Sequence, residues 1–215
     1  MVAFIVTNLN LENISKMIDL DSRFYENDNF VDIKTTMKRI SINPECDIVV
    51  MNNQNLVGYL TLLPVSDLVF KKIVNHDLNE SEIESSVIPF NHYGKYSCYF
   101  SSIIIDKLNY PFYKSEFLVS ILKGKIIEFK KRGIFISKIV AKAVTKSGKY
   151  FLRKFGFIEY TRNIFILHIK SPNELFFRIN FIFKNILIVL FFISKGIMNN
   201  TMFTGDIFEY RDPDI

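Results

Sequence analysis

Ser101-Ser-Ile-Ile-Ile-Asp106 and Gly148-Lys-Tyr-Phe-Leu-Arg-Lys-Phe-Gly-Phe157 bracket the stretch that decides the fold of this chain. The first segment is an apolar strand that opens with small polar residues. Between the two, residues 117–132 set Leu118, Leu122, Ile126 and Phe129 at i, i+4, i+8 and i+11, the pattern of a helix with one face on a sheet. Gly133 stops that helix. An apolar run at 134–143 follows within three residues, the short connection of a right-handed crossover between parallel strands. Gly156 is placed to cap a short helix before the next strand. Strand, helix, strand and short helix predict an α/β domain.

Working outward, Met1-Val-Ala-Phe-Ile-Val-Thr reads as a first strand, too short and too lacking in basic residues for a signal peptide. Asn10 caps a helix carrying Leu11, Ile14 and Ile18 on one stripe. Residues 32–42 form a second helix, with Ile33, Met37 and Ile40 at helical spacing. Residues 47–51 and 56–63 are the strands of a hairpin around the polar turn Asn52-Asn-Gln-Asn. After Pro64 come a helical stretch with Leu68 and Ile73, then the acidic segment Asp77-Leu-Asn-Glu-Ser-Glu-Ile-Glu84. Residues 95–105 make a long strand, and residues 164–169 complete the sheet.

Composition narrows the function. In 215 residues, 49% are hydrophobic and 23% charged, which suits a packed core and excludes global disorder. The formal charge of +5 is unevenly spread: residues 110–155 carry twelve Lys or Arg against Glu116 and Glu128, so the remainder is net acidic. A basic half can serve a phosphate-rich cofactor, an anionic membrane or nucleic acid. No nucleic-acid motif accompanies it, so no nucleic-acid partner is expected. Cys46 and Cys98 lie far apart, and His76, His92 and His168 show no ligand spacing; this predicts no metal site and a reducing, cytoplasmic setting.

The element order over residues 10–169 resembles that of the GNAT-type N-acetyltransferases. Leu56-Val-Gly-Tyr-Leu-Thr-Leu-Leu-Pro is similar to the family's hairpin strand, and residues 145–157 to its late motif, where a small helix ends in Gly-Phe. The resemblance implies a mixed central sheet flanked by helices and an acyl transfer, most simply of acetyl from acetyl-CoA to a primary amine on a small molecule or protein. Acetyl-CoA would lie in a splay between two parallel strands, its pantetheine on the backbone of Ser102, Ile103, Ile104 and Ile105. Its pyrophosphate would meet the next helix's N-terminus. The family's glycine-rich loop is replaced here by Tyr110-Pro-Phe-Tyr-Lys-Ser115, so that Tyr113 and Ser115 stand where glycines are usual and Lys114 supplies charge. Lys146 and Lys149 are further candidates for the phosphate or adenosine end.

For catalysis, the family's Tyr acid falls on Leu152, with Tyr150 two residues earlier as the nearest hydroxyl. Base candidates are Glu26, Asp28 and Tyr99. The acidic segment 77–84 either overhangs the acceptor and favours a cationic amine, or is a charged surface loop. A catalytically inactive GNAT-like scaffold that binds a partner is the competing reading.

From Ser171-Pro172 the composition changes, which divides the chain into an acyltransferase-like domain at 1–170 and a hydrophobic C-terminal helix with a polar tail at 171–215. Only residues 186–193 are uninterrupted apolar, short of the ~20 residues that span a bilayer. Residues 175–198 therefore pack on the domain or a second subunit, lie at a membrane surface with snorkelling cations, or form a marginal span.

Overall fold

The computed structural model describes residues 2–6, 9–24, 31–169 and 208–209. Its elements run β1 (Val2–Val6), α1 (Leu11–Asp21), α2 (Ile33–Ile42), β2 (Asp47–Asn52), β3 (Asn55–Val65), α3 (Asp67–Val74), α4 (Glu80–Ser85), β4 (Gly94–Ile105), α5 (Ser115–Lys131), β5 (Ile134–Lys142), α6 (Lys146–Lys154), β6 (Ile158–Thr161), β7 (Ile164–His168) and β8 (Phe208–Glu209). The strands form one mixed sheet in the order β6-β7-β5-β4-β3-β2-β1-β8. Among the described strands only β4 and β5 pair in parallel, joined through α5 as the glycine-bounded helix predicts.

Side-chain alternation along β4 explains how the sheet is covered. Cys98 and Phe100 face the α5–α6 core, where the predicted stripe Leu118, Leu122, Ile126 and Phe129 is buried. Tyr99 points the other way, toward Phe70 and Ile73 of α3 and Ile83 of α4. Burying each such Leu, Ile or Phe contributes about 1.5–3 kcal/mol before ordering costs. Gly156 takes a φ of +83° just past α6, as a C-capping glycine should. Gly58 serves differently: a Cβ there would stand 2.4 Å from the Ile104 carbonyl oxygen, so only glycine lets β3 and β4 approach this closely.

Two helices turn a different face inward from the one their apolar spacing suggests. In α1 the buried residues are Ile14, Met17 and Leu20, while Leu11 is exposed. In α2 they are Thr36 and Arg39, leaving Ile33 and Met37 exposed. An arginine wins the inward position because buried carboxylates await it there. Among the described residues no helix is long and apolar enough to cross a membrane. The segment 175–198, Glu26 and Asp28 lie outside the described residues.

Candidate active site

β4 and β5 part company at the centre of the sheet. Their parallel ladder ends at Phe100↔Ala141, whereas β4 stays paired with β3 through Ile105. Among the described residues, Ser101–Ile105 therefore have no strand on their β5 side, an edge whose backbone N–H and C=O groups could pair with an extended ligand. The register against β3 jumps from Leu62↔Phe100 to Thr61↔Ser102, so Ser101 is the extra residue of a β-bulge. The bulge turns both Ser101 and Ser102 toward one cavity and sets Ile103 and Ile105 toward the α5 core.

That cavity, about 60 Å³, is walled by α1, α2, α4 and the central strands. Its chemistry comes from charges that are buried and interlocked. Arg39, 4% exposed, donates two hydrogen bonds to Asp47, at 2.9 and 3.1 Å, and one to Glu84. Thr61 donates to Asp47 at 2.6 Å. On α4, Glu80 accepts from the Tyr99 hydroxyl at 2.8 Å and from Ser101 at 2.9 Å. At the α1 end the Tyr59 hydroxyl donates to Asp21.

Burial sets the protonation of this cluster. It pushes Asp21 up to about 6, against the opposing hydrogen bond from Tyr59. It lifts Glu84 to about 7 in spite of Arg39. Glu80 is also raised by burial, against its bonds from Tyr99 and Ser101. Burial works against the Arg39 charge too, but Asp47 and Glu84 outweigh it and hold the guanidinium protonated. Carboxyls that titrate near neutrality beside strand hydroxyls can accept and release a proton at a bound group.

The other wall is the turn into α5. The Tyr113 ring is buried in the α5 core, edge-on to Tyr110 and Phe117. No residue of 106–115 is left-handed, so side chains replace glycine there without backbone strain. Lys107 Nζ donates to the carbonyl oxygens of Pro111 and Tyr113 and draws the turn tight. Lys114 is the N-cap of α5 without a side-chain cap, and the amides of Lys114 and Ser115 make no hydrogen bond among the described residues. Glu116 stands in the first turn and pairs with Lys154 of α6. Partial burial would raise the Glu116 carboxyl, but the Lys154 contact prevails and holds it below its usual range.

Comparison by sequence finds no matching family model and no matching curated protein. Comparison by structure does find similar proteins. The chain matches the NatC complex bound to Gag peptide and CoA at 13% identity, TM-score 0.51, over 79% of this chain and 99% of that one. It matches an acetyltransferase of the GNAT family from Staphylococcus aureus MU50 at 14% identity, TM-score 0.50, over 78% and 99%. The chain has the GNAT fold. Within it, the β4–β5 ladder ends after Phe100, and Ser102 and Ile103 lie half-buried along the edge beyond it. Ile104 and Ile105 are buried behind that edge, so they offer a ligand backbone only.

The expected catalytic residues separate. Tyr99 lines the cavity and is bonded to Glu80. Tyr150 is 70% exposed, because α6 turns Leu152 inward and carries Tyr150 on its outer side. Of the lysines, Lys114 and Lys146 are exposed and Lys149 is half-buried. The acidic segment divides: Asp77 and Glu82 face outward, whereas Glu80 and Glu84 are buried in the GNAT core. Sequence reasoning missed Asp21, Arg39, Asp47 and Tyr59 altogether. A signal existed for α4, where Glu80, Ile83 and Glu84 sit at i, i+3 and i+4, one inward stripe holding an apolar residue between two acids.

Proposed function

We propose that the protein is a divergent GNAT-type acyltransferase that moves an acyl group, most simply acetyl, from acetyl-CoA to a primary amine. The observation that carries this reading is the junction of the unpaired β4 edge with the buried carboxylate cavity at Ser101 and Ser102. The pantetheine arm would pair with the backbone of Ser102–Ile105. The pyrophosphate would meet the amides of Lys114 and Ser115, with Tyr113 holding the turn from within the core. The acceptor arrives as an ammonium and must lose a proton. Glu80, raised by burial and hydrogen-bonded to Tyr99, is placed to take it. The amine nitrogen then attacks the thioester carbonyl, a C–N bond forms, the C–S bond breaks, and the coenzyme A thiolate leaves and is protonated. Glu26, in the segment between α1 and α2, is a second base candidate.

The competing reading, a GNAT-like scaffold without catalysis, draws on Glu116 at the N-terminus of α5 and on Leu152 where the family's Tyr is usual. Calorimetric titration of the full chain with acetyl-CoA, with coenzyme A as control, decides between them. Micromolar binding followed by amine-dependent thiol release is the expected result. No binding up to millimolar cofactor overturns the enzyme reading.

A further inference from the structure

Lys142 is the last residue of β5, one step past the Phe100↔Ala141 pair at which the β4–β5 ladder ends. Alternation along β5 sends Ile139 and Ala141 into the α5 core and Val140 to the opposite side, so Lys142 faces the side that Tyr99 faces. It is half-buried there and lines both the cavity beside Ser101 and Ser102 and an open groove of about 610 Å³ bounded by His76, Asp77 and Asn163. Lys138, on the same side of β5, is paired with Asp67 at 3.0 Å. The Lys142 ammonium has no ion pair or hydrogen bond among the described residues. Its charge is still felt nearby: burial raises the Glu80 carboxyl, and Lys142 is close enough to oppose that rise.

The run of the donor shows what this cation would meet. With the pyrophosphate at Lys114 and Ser115, beyond the C-terminal end of β4, the pantetheine passes back along the edge from Ile105 to Ser102. The thioester then comes to rest at Ser101 and Ser102, where β4 and β5 part, beside Lys142. The other charges at this point are already engaged. Arg39 is held by Asp47 and Glu84, and Glu80 accepts hydrogen bonds from Tyr99 and Ser101. The reacting atom that needs a counter-charge is the sulfur, which takes the bonding electron pair when the C–S bond breaks in a partly buried site.

We propose that Lys142 is a catalytic residue whose ammonium pairs with the coenzyme A sulfur as the thioester breaks. The proposal deepens the acyl-transfer reading and rests on it for the donor. One proton of the acceptor ammonium goes to Glu80. The amine nitrogen forms the C–N bond, the C–S electron pair moves to sulfur, and the thiolate appears as an ion pair with Lys142, which keeps its own proton. The second nitrogen proton is lost as the adduct collapses and reaches sulfur through solvent as coenzyme A departs.

The test follows the thiol of coenzyme A bound to the full chain, through the ultraviolet absorbance of its thiolate from about pH 5 to about pH 9. Acetyl-CoA, which has no free thiol, is the blank. Burial raises both protein thiols, Cys46 and Cys98, so neither ionises in this range. We expect the bound thiol to ionise at least about 1 pH unit below that of free coenzyme A, the effect of a neighbouring cation. Lys142→Met should return it to the free value, and Lys142→Arg should keep most of the shift. In turnover, Lys142→Met should lower kcat about 100-fold with KM for acetyl-CoA changed less than about 3-fold. A bound thiol that ionises as in free coenzyme A overturns the proposal, as does a folded Lys142→Met variant that keeps the shift. A lysine serving only as counter-ion to Glu80 would lower kcat and leave the thiol unmoved, which also overturns it. Coenzyme A binding is read first in the same titration: its absence removes the acyl-transfer reading together with this proposal, whereas binding with an unshifted thiol removes this proposal alone.

Discussion

The two walls of the splay hold charge in opposite ways. On the α1–α4 side, Arg39, Asp47, Glu80 and Glu84 are buried, and each is fixed by partners from other elements. On the α5–α6 side, the Lys154–Glu116 pair and Lys114 sit at or near solvent, and the turn is shaped by the buried Tyr113 and by backbone. Burying ions costs several kcal/mol each unless they are paired, so the first wall is expensive to assemble while the second is cheap. On the proposed acyl-transfer reading, the difference puts chemical discrimination on the first wall and leaves the second to main-chain groups that tolerate sequence change.

Breaking the buried wall should have the largest effect. Arg39→Met strands Asp47 and Glu84, and urea unfolding should show a loss of about 3–5 kcal/mol. A loss below 1 kcal/mol would mean that the cluster is not desolvated as described. Glu80→Gln keeps the shape of α4 but removes the proposed base. Amine-dependent thiol release should then fall on the order of 100-fold in kcat, about 2.7 kcal/mol, with acetyl-CoA affinity unchanged. A parallel fall in cofactor affinity would move Glu80 to the other wall.

The walls should also respond to pH with opposite sign. Asp21 and Glu84 titrate higher folded than unfolded, so their contribution to stability is full below about pH 4 and is lost as pH rises through 6 to 7. Glu116 is held low, so its contribution appears above its usual range and is lost on acidification. Between pH 5 and pH 8 the unaltered protein should lose about 1.4 kcal/mol relative to Asp21→Asn, as read by chemical denaturation at each pH. Identical slopes would show that Asp21 is solvated. The smallest effect belongs to Lys154→Ala, which breaks only a partly exposed pair and should change stability by less than about 1 kcal/mol. A larger loss would erase the contrast between the walls.

The fold was legible because its signals are periodic. The α5 stripe, the glycines at 133 and 156 and the hairpin turn each act locally, and the structure places each element within a few residues of its expected bounds. The wall beside α5 was legible in part, since a parting of β4 and β5 follows from strand order. The acceptor wall was not. Arg39 meets Asp47 from the neighbouring β2 and Glu84 from forty-five residues downstream, and only the fold brings these together. The apolar spacing of Ile33 and Met37 misdirected the reading of α2, because hydrophobic periodicity assumes that the buried side of a helix is apolar.

The α4 wall of the buried-carboxylate cavity enters the chain between two adjacent antiparallel strands, β3 and β4. The excursion that carries α3 and α4 leaves the sheet after Val65 and rejoins it at Gly94. Its ends therefore return to neighbouring positions, as those of an exchangeable cassette must. Arg39 receives it through Glu84, and Tyr99 and Ser101 hold it through Glu80. On the proposed reading, a lineage that kept this arginine and swapped residues 66–93 would change which amines it serves while leaving the sheet intact.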